Sequence, residues 1–290
     1  MSSVWTVLES PCPPVDATWL DRCKGIGSEI ERAMKTYQLF QEYGLVEADR
    51  FPFEQFKTFS AARTLSSGHK YAVAGDAFEL WASALFSDQS LLAYPQDRPA
   101  DDSRLCDLML AQNISRKAYK EPFVKGIDQL LEFGLIGEDS ITGRLLPTGL
   151  AHCLKLVWDS GAITLNQCSE SGLEVIDGFV EKGVLTYCDG LFTPDEASYL
   201  NYMLNDSEAS NSVGLRNKYA HANGPVTDPN SNEMRSDYHT MLALFISITL
   251  KINEELMGAT GKGGLDPDGL VDWPLYDASV YEAAERLGRE

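Results

Sequence analysis

The first stretch predicted as helical runs from about Trp19 to Tyr43 and ends at Gly44, a helix stop. A second apolar stretch, Tyr71 to Leu92, precedes Pro95 and Pro99 and is also predicted as helical. Pro11, Pro13 and Pro14 suit an extended arm for residues 1–20, because proline lacks the donor a helix interior needs. Acidic, proline-bearing residues 95–103 read as a linker.

Beyond the linker the pattern repeats. Gly126-Ile-Asp-Gln-Leu-Leu-Glu-Phe-Gly-Leu-Ile136 returns as Val175-Ile-Asp-Gly-Phe-Val-Glu-Lys-Gly-Val-Leu185, offset by 49 residues. Each copy predicts an amphipathic helix stopped at a glycine (Gly134, Gly183), two apolar residues, a polar turn and a short apolar strand. The strands expected after the turns are Gly143-Arg-Leu-Leu-Pro-Thr148 and Asp189-Gly-Leu-Phe-Thr193, each leading into a helix. Thr193, Pro194 and Glu196 have the spacing of a capping box. Helix, apolar corner, two-stranded wing and helix resembles a winged helix-turn-helix, so residues 104 to about 200 are expected to hold two such units in tandem. Their helices, Glu121 to Phe133 and Gly172 to Lys182, are poor in Arg and Lys, which favours a structural or protein-binding role over DNA reading. Against that stands a small basic patch, Ser115-Arg-Lys-Ala-Tyr-Lys120.

From Asp195 onward the signals are helical: Glu196 to Leu204, Glu208 to His221, and about Glu233 to Met257. The last carries Tyr238, Met241, Phe245, Ile248, Ile252 and Leu256 on one face. It is apolar on nearly all sides from Met241 to Leu250, so it must be covered from more than one side, by its own domain or by a second copy. A homodimer through the C-terminal helices is therefore expected.

Composition narrows the classes. The 290 residues, 44% of them hydrophobic, suffice for a buried core, and the net charge of −19 opposes loose binding to nucleic acid. Any RNA site must be a local basic island, and the acidic body could instead dock a protein partner. Six scattered cysteines without paired spacing predict reduced thiols in the cytoplasm, and no leader or membrane span is expected. Gly258-Ala-Thr-Gly-Lys-Gly-Gly264 lacks phosphate-loop spacing and reads as a flexible linker, while Asp266-Pro-Asp-Gly269 reads as a turn. His69, His152 and His239 lack metal-ligand spacing, with His152 expected in a core, so neither metal nor other cofactor is predicted.

The residues that carry chemistry lie in Gly214-Leu-Arg-Asn-Lys-Tyr-Ala-His-Ala222. Arg216, Asn217 and His221, followed by a long helix, resemble the Arg-Asn-x-x-Ala-His signature of the HEPN superfamily. The family often has glycine after the histidine, where this chain has Ala222. The resemblance implies a helical bundle that cleaves RNA, tRNA among its targets, without metal and through the 2'-hydroxyl, with sites meeting at a dimer seam. It implies His221 as proton carrier, Arg216 as the phosphate-holding group and Asn217 as the group that orients phosphate or imidazole. Lys218 and Arg235 would complete the basic island on the RNA. The biological role it implies is a toxin or an anti-phage defence effector. Two alternatives remain open: a non-catalytic scaffold, since an Arg-Asn pair at a helix end can also bind a carboxylate or cap carbonyls, and a winged-helix DNA regulator using Arg116, Lys117, Lys120 and Arg144. The fold class expected is mainly α, with a helical region over 1–103, tandem winged-helix-like units over 104–194 and a HEPN-like bundle over 195–290.

Overall fold

A computed structural model describes residues 14–43, 58–65, 68–96, 104–205, 211–220 and 228–259. Over the described residues the chain is mainly helical with two small antiparallel sheets, of two and three strands. In their described parts, residues 14–68 with 189–259 form one compact unit and 69–188 the other. This grouping cuts across the segments drawn from the sequence, because the first helix joins the C-terminal helices while residues 69–96 join the repeats.

In the unit of residues 69–188 the elements are β1 (Tyr71–Ala74), α2 (Phe78–Phe86), α3 (Leu105–Ala111), α4 (Phe123–Phe133), β2 (Ile136–Glu138), β3 (Leu145–Pro147), α5 (Gly149–Ser160), β4 (Ala162–Thr164), α6 (Glu170–Glu181) and β5 (Leu185–Cys188). The stretch Tyr71 to Leu92, expected as a helix, is instead a strand, a helix and a 3₁₀ turn at Leu91–Ala93. Gly75 and Asp76 interrupt it, and Tyr71 to Val73 are buried between two partner strands.

The 49-residue repeat is written into the backbone. After α4, Gly134 (φ 86°) donates to Leu131 and Leu135 to Leu130; after α6, Gly183 (φ 68°) donates to Val180 and Val184 to Phe179. Both are Schellman ends, which need a left-handed residue after the helix and select glycine there. The same offset relates the ends of α3 and α5, the bridge residue Ser115 and Thr164, and the 3₁₀ turns at Arg116–Ala118 and Leu165–Gln167.

The return strands differ. In the first copy β3 pairs β2 as Ile136↔Pro147 and Glu138↔Leu145, and Arg144 bridges Ser115. In the second copy that central place is taken by β1, from upstream in the chain: Leu185↔Ala74, Tyr187↔Ala72, and Tyr71↔Thr164 on the other side. Each β1 residue matches the β3 position 73 residues later. The bond that follows the strand is kept too, Thr148 N–H to Leu135 O at 3.0 Å and Gly75 N–H to Val184 O at 2.9 Å.

The strand expected at Asp189 to Thr193 is therefore not used. Gly190 makes an isolated bridge to Arg63, and Leu191 and Phe192 are buried in the core of the other unit, with Phe192 5.8 Å edge-on from Phe59. His152, expected in a core, is exposed, because α5 buries Ala151, Cys153, Leu154 and Val157 instead.

The other unit is a bundle of α1 (Trp19–Tyr43), α7 (Pro194–Leu204), α8 (Leu215–Ala220) and α9 (Asn232–Ala259). α1 packs along α8 and α9, burying Cys23, Ile30, Met34, Met241 and Ile248. The capping box forms as expected, with Glu196 N–H to Thr193 Oγ1 at 3.2 Å and Thr193 N–H to Glu196 Oε2 at 2.8 Å. Two buried polar groups fasten the 58–65 segment to the helices. Asn201 accepts from Phe59 N–H at 3.0 Å, and Glu255 accepts from Leu65 N–H at 2.7 Å and from the Thr64 hydroxyl. α8 starts at Leu215, after Gly214 (φ 58°), and residues 211–214 are not helical where a helix from Glu208 was expected; residues 206–210 lie outside the described set.

Candidate functional site

α8 is short, and its orientation is set by Leu215 and Tyr219, four residues apart and both buried. Arg216 and Ala220 then face α1, whose Cys23, Gly27 and Glu31 repeat every fourth residue along one stripe with Lys24 and Ser28 beside it. Together with Tyr219 these seven residues line a cleft of about 260 Å³. Gly27 permits the approach: a Cβ built there would lie 3.3 Å from Met241 Cε and 3.8 Å from Arg216 Cγ.

Arg216 is drawn into this cleft, with its side chain 13% exposed. Its Nη1 lies 3.8 Å from Glu31 Oε2, and its Nη2 donates to Asn217 Oδ1 at 3.3 Å. The other oxygen of Glu31 is 2.8 Å from Lys35 Nζ. At the floor, Tyr219 donates its hydroxyl to Asp237 at 2.6 Å, and burial together with that carboxylate pushes the phenol well above its ordinary range. Burial likewise raises the Cys23 thiol to about 11, and its Sγ–H meets Met234 O at 3.3 Å.

Arg216 and Asn217 are thus brought together, and His221 lies outside the described residues. Lys218 is not turned to the cleft lining: its ammonium sits 2.6 Å from Glu233 and 2.8 Å from Asp237. Burial works against that charge, but the hydrogen bonds of Asp237 and Glu233 outweigh it and raise the pKa. Arg235 lies over the indole of Trp19, 5.7 Å from its centroid, with Arg22 at 5.3 Å from the same ring. Trp19 is two turns before Gly27, roughly 12 Å along α1.

The contribution of α1 was not foreseen. Its signal was Gly27 inside an amphipathic helix, where glycine costs up to about 1 kcal/mol relative to alanine and so marks a close approach. Spacing within one segment cannot show which distant segment will face it.

Chemically the cleft offers a guanidinium and an ammonium to an anion, with one carboxylate already beside the guanidinium, while the Ser28 hydroxyl donates to Lys24 O at 3.1 Å. Of the basic stripe expected on the repeats, Lys117 and Lys120 are exposed, whereas the two arginines are committed elsewhere. Arg116 forks onto Asp128, with Nη2 to Oδ2 at 2.7 Å, and Arg144 Nη2 donates to Met109 O and Leu110 O at the end of α3, both at 3.0 Å. Among the described residues no group of three His, Cys, Asp or Glu side chains could hold a metal ion, and no described helix is long and apolar enough to cross a membrane. Set beside known protein families, curated proteins and solved structures, the chain matches none.

Proposed function

We propose that the helical bundle is a HEPN-type module whose Arg216 cleft binds a phosphate of RNA and cleaves the strand without metal. The observation that carries this reading is the position of Arg216, drawn with its side chain 13% exposed into a cleft of about 260 Å³ beside Lys24 rather than splayed on the surface. The 2'-oxygen attacks phosphorus, a 2',3'-cyclic phosphate forms, and the 5'-oxygen leaves with a proton. Arg216 holds the non-bridging oxygens as charge builds on them, Asn217 fixes the guanidinium plane, and His221 carries the proton. A second copy belongs to the reading, since Ile246 and Leu250 on α9 are 51% and 63% exposed on a face that the bundle leaves uncovered. In a cell this activity suits a cytoplasmic toxin or anti-phage effector, with tRNA among its targets. The repeats, in this reading, are winged-helix-like units that bind protein, since Arg116 and Arg144 are already engaged.

A non-catalytic scaffold is the competing reading, favoured by the carboxylate already beside Arg216 and by the acidic pair on Lys218. Wild type, His221→Ala and Arg216→Ala are incubated with total RNA and with purified tRNA in EDTA. Wild type is expected to yield cyclic-phosphate ends, and each variant to lose about a hundredfold or more in rate. Cleavage that EDTA abolishes, or that both variants retain, overturns the mechanism; an inert wild type leaves the scaffold.

A further inference from the structure

Glu31 is the acidic group in an otherwise cationic cleft, and its placement is specific. Its two oxygens serve two cations: Oε1 lies 2.8 Å from Lys35 Nζ, one turn further along α1, and Oε2 lies 3.8 Å from Arg216 Nη1. The second distance is within Coulomb range but beyond the roughly 2.7–2.9 Å of a charge-assisted hydrogen bond, so Glu31 meets Nη1 through charge alone. Glu31 is 30% exposed against 13% for Arg216, and Lys35 already holds its other oxygen.

We propose that Glu31 is an internal occupant of the Arg216 anion site, which an RNA phosphate must displace in order to bind. This rests on the reading of the cleft as a phosphate site. An entering phosphate makes the bidentate contact that the carboxylate does not, and meets repulsion from Glu31 until the side chain turns to Lys35. Glu31 thereby sets a threshold: weak or singly charged anions do not open the site, whereas a polyanion with several phosphates along the cleft mouth does. In an acidic protein, where unwanted phosphate contacts are already suppressed, this confines the response to strands that also engage Lys24.

The test uses the full-length protein and a fluorescein-labelled 12-mer of mixed-sequence 2'-O-methyl RNA, which lacks the attacking hydroxyl, so that binding is read apart from cleavage. Affinity by anisotropy is compared for wild type, Glu31→Gln, Glu31→Asp, Arg216→Ala and the Glu31→Gln/Arg216→Ala double variant, with thermal melts as the check on folding. Glu31→Gln is expected to bind about five- to tenfold more tightly, Glu31→Asp close to wild type, and the gain is expected to vanish when Arg216 is absent. Binding that Arg216→Ala removes but Glu31→Gln leaves unchanged overturns the proposal alone, as does a gain that persists without Arg216. Binding indifferent to Arg216→Ala, or absent in every variant, overturns the phosphate-site reading and the proposal with it.

Discussion

Replacing Ala72 by proline, and separately Ala74 by proline, discriminates the topology of the repeat unit residue by residue. β1 is central, so each of its interior amides is donated to one neighbour or the other. Gly75 N–H goes to Val184 beyond β5, and Lys70 O receives Leu165 N–H beside β4; alternation therefore aims Ala72 at β4, opposite Ile163. Ala72 is fully buried, so Ala72→Pro deletes one ladder bond and strands a buried carbonyl, together about 2–4 kcal/mol. Ala74 lies beyond the last β4 pair, Ala162↔Val73, and is exposed. Its counterpart in the first copy is Pro147, already a proline in β3, so Ala74→Pro is expected to cost under about 1 kcal/mol. Hydrogen exchange with peptide resolution reads the two units separately. Peptides of α5 and α6 are expected to exchange roughly 30- to 1000-fold faster in Ala72→Pro and within about fivefold of wild type in Ala74→Pro. Equal damage from both substitutions, or unchanged protection in Ala72→Pro, refutes the assignment of β1 to the place of β3.

Two further outcomes follow from buried groups. Asn201→Ala removes the acceptor for the buried Phe59 amide and two donor bonds, to Thr58 Oγ1 at 2.9 Å and Ser60 Oγ at 3.2 Å. It should destabilise the bundle by about 2–4 kcal/mol, and a urea midpoint within error of wild type would contradict that role. Burial raises the Cys23, Cys106 and Cys168 thiols from 9.0 to about 11 and Cys153 to about 12, so folding favours their protonated forms. The stability they contribute is complete below pH 9 and is lost as pH rises from 9 to about 12. The melting temperature should fall across that window, and iodoacetamide at pH 8 should label these thiols much faster in urea than in the native chain; equal rates would count against the burial.

Much of the local structure was legible because it depends on neighbours in sequence. The helix predicted from Trp19 to Tyr43 forms over those residues, and the long helix predicted over Glu233 to Met257 forms over Asn232 to Ala259, since three-and-four periodicity is a local property. The glycine stops at Gly134 and Gly183 and the capping box at Thr193 were readable for the same reason. The site was half legible: the Arg216-Asn217 pair stands in one segment, but Glu31, Gly27 and Lys24 come from a helix about 190 residues away.

The sequence by itself determined the helical class, the repeat and its 49-residue period, because side-chain period and helix-end chemistry act over a few residues. Only the tertiary structure decided that Tyr71 to Ala74 pairs as a strand and that Leu191 and Phe192 leave their repeat for the bundle core. A four-residue apolar run reads alike as strand, helix edge or core filler, and a sheet position is filled by whichever segment satisfies its open hydrogen bonds. The same holds for Arg216: its charge and neighbours are in the sequence, but the carboxylate that faces it is set by how α1 packs on α8.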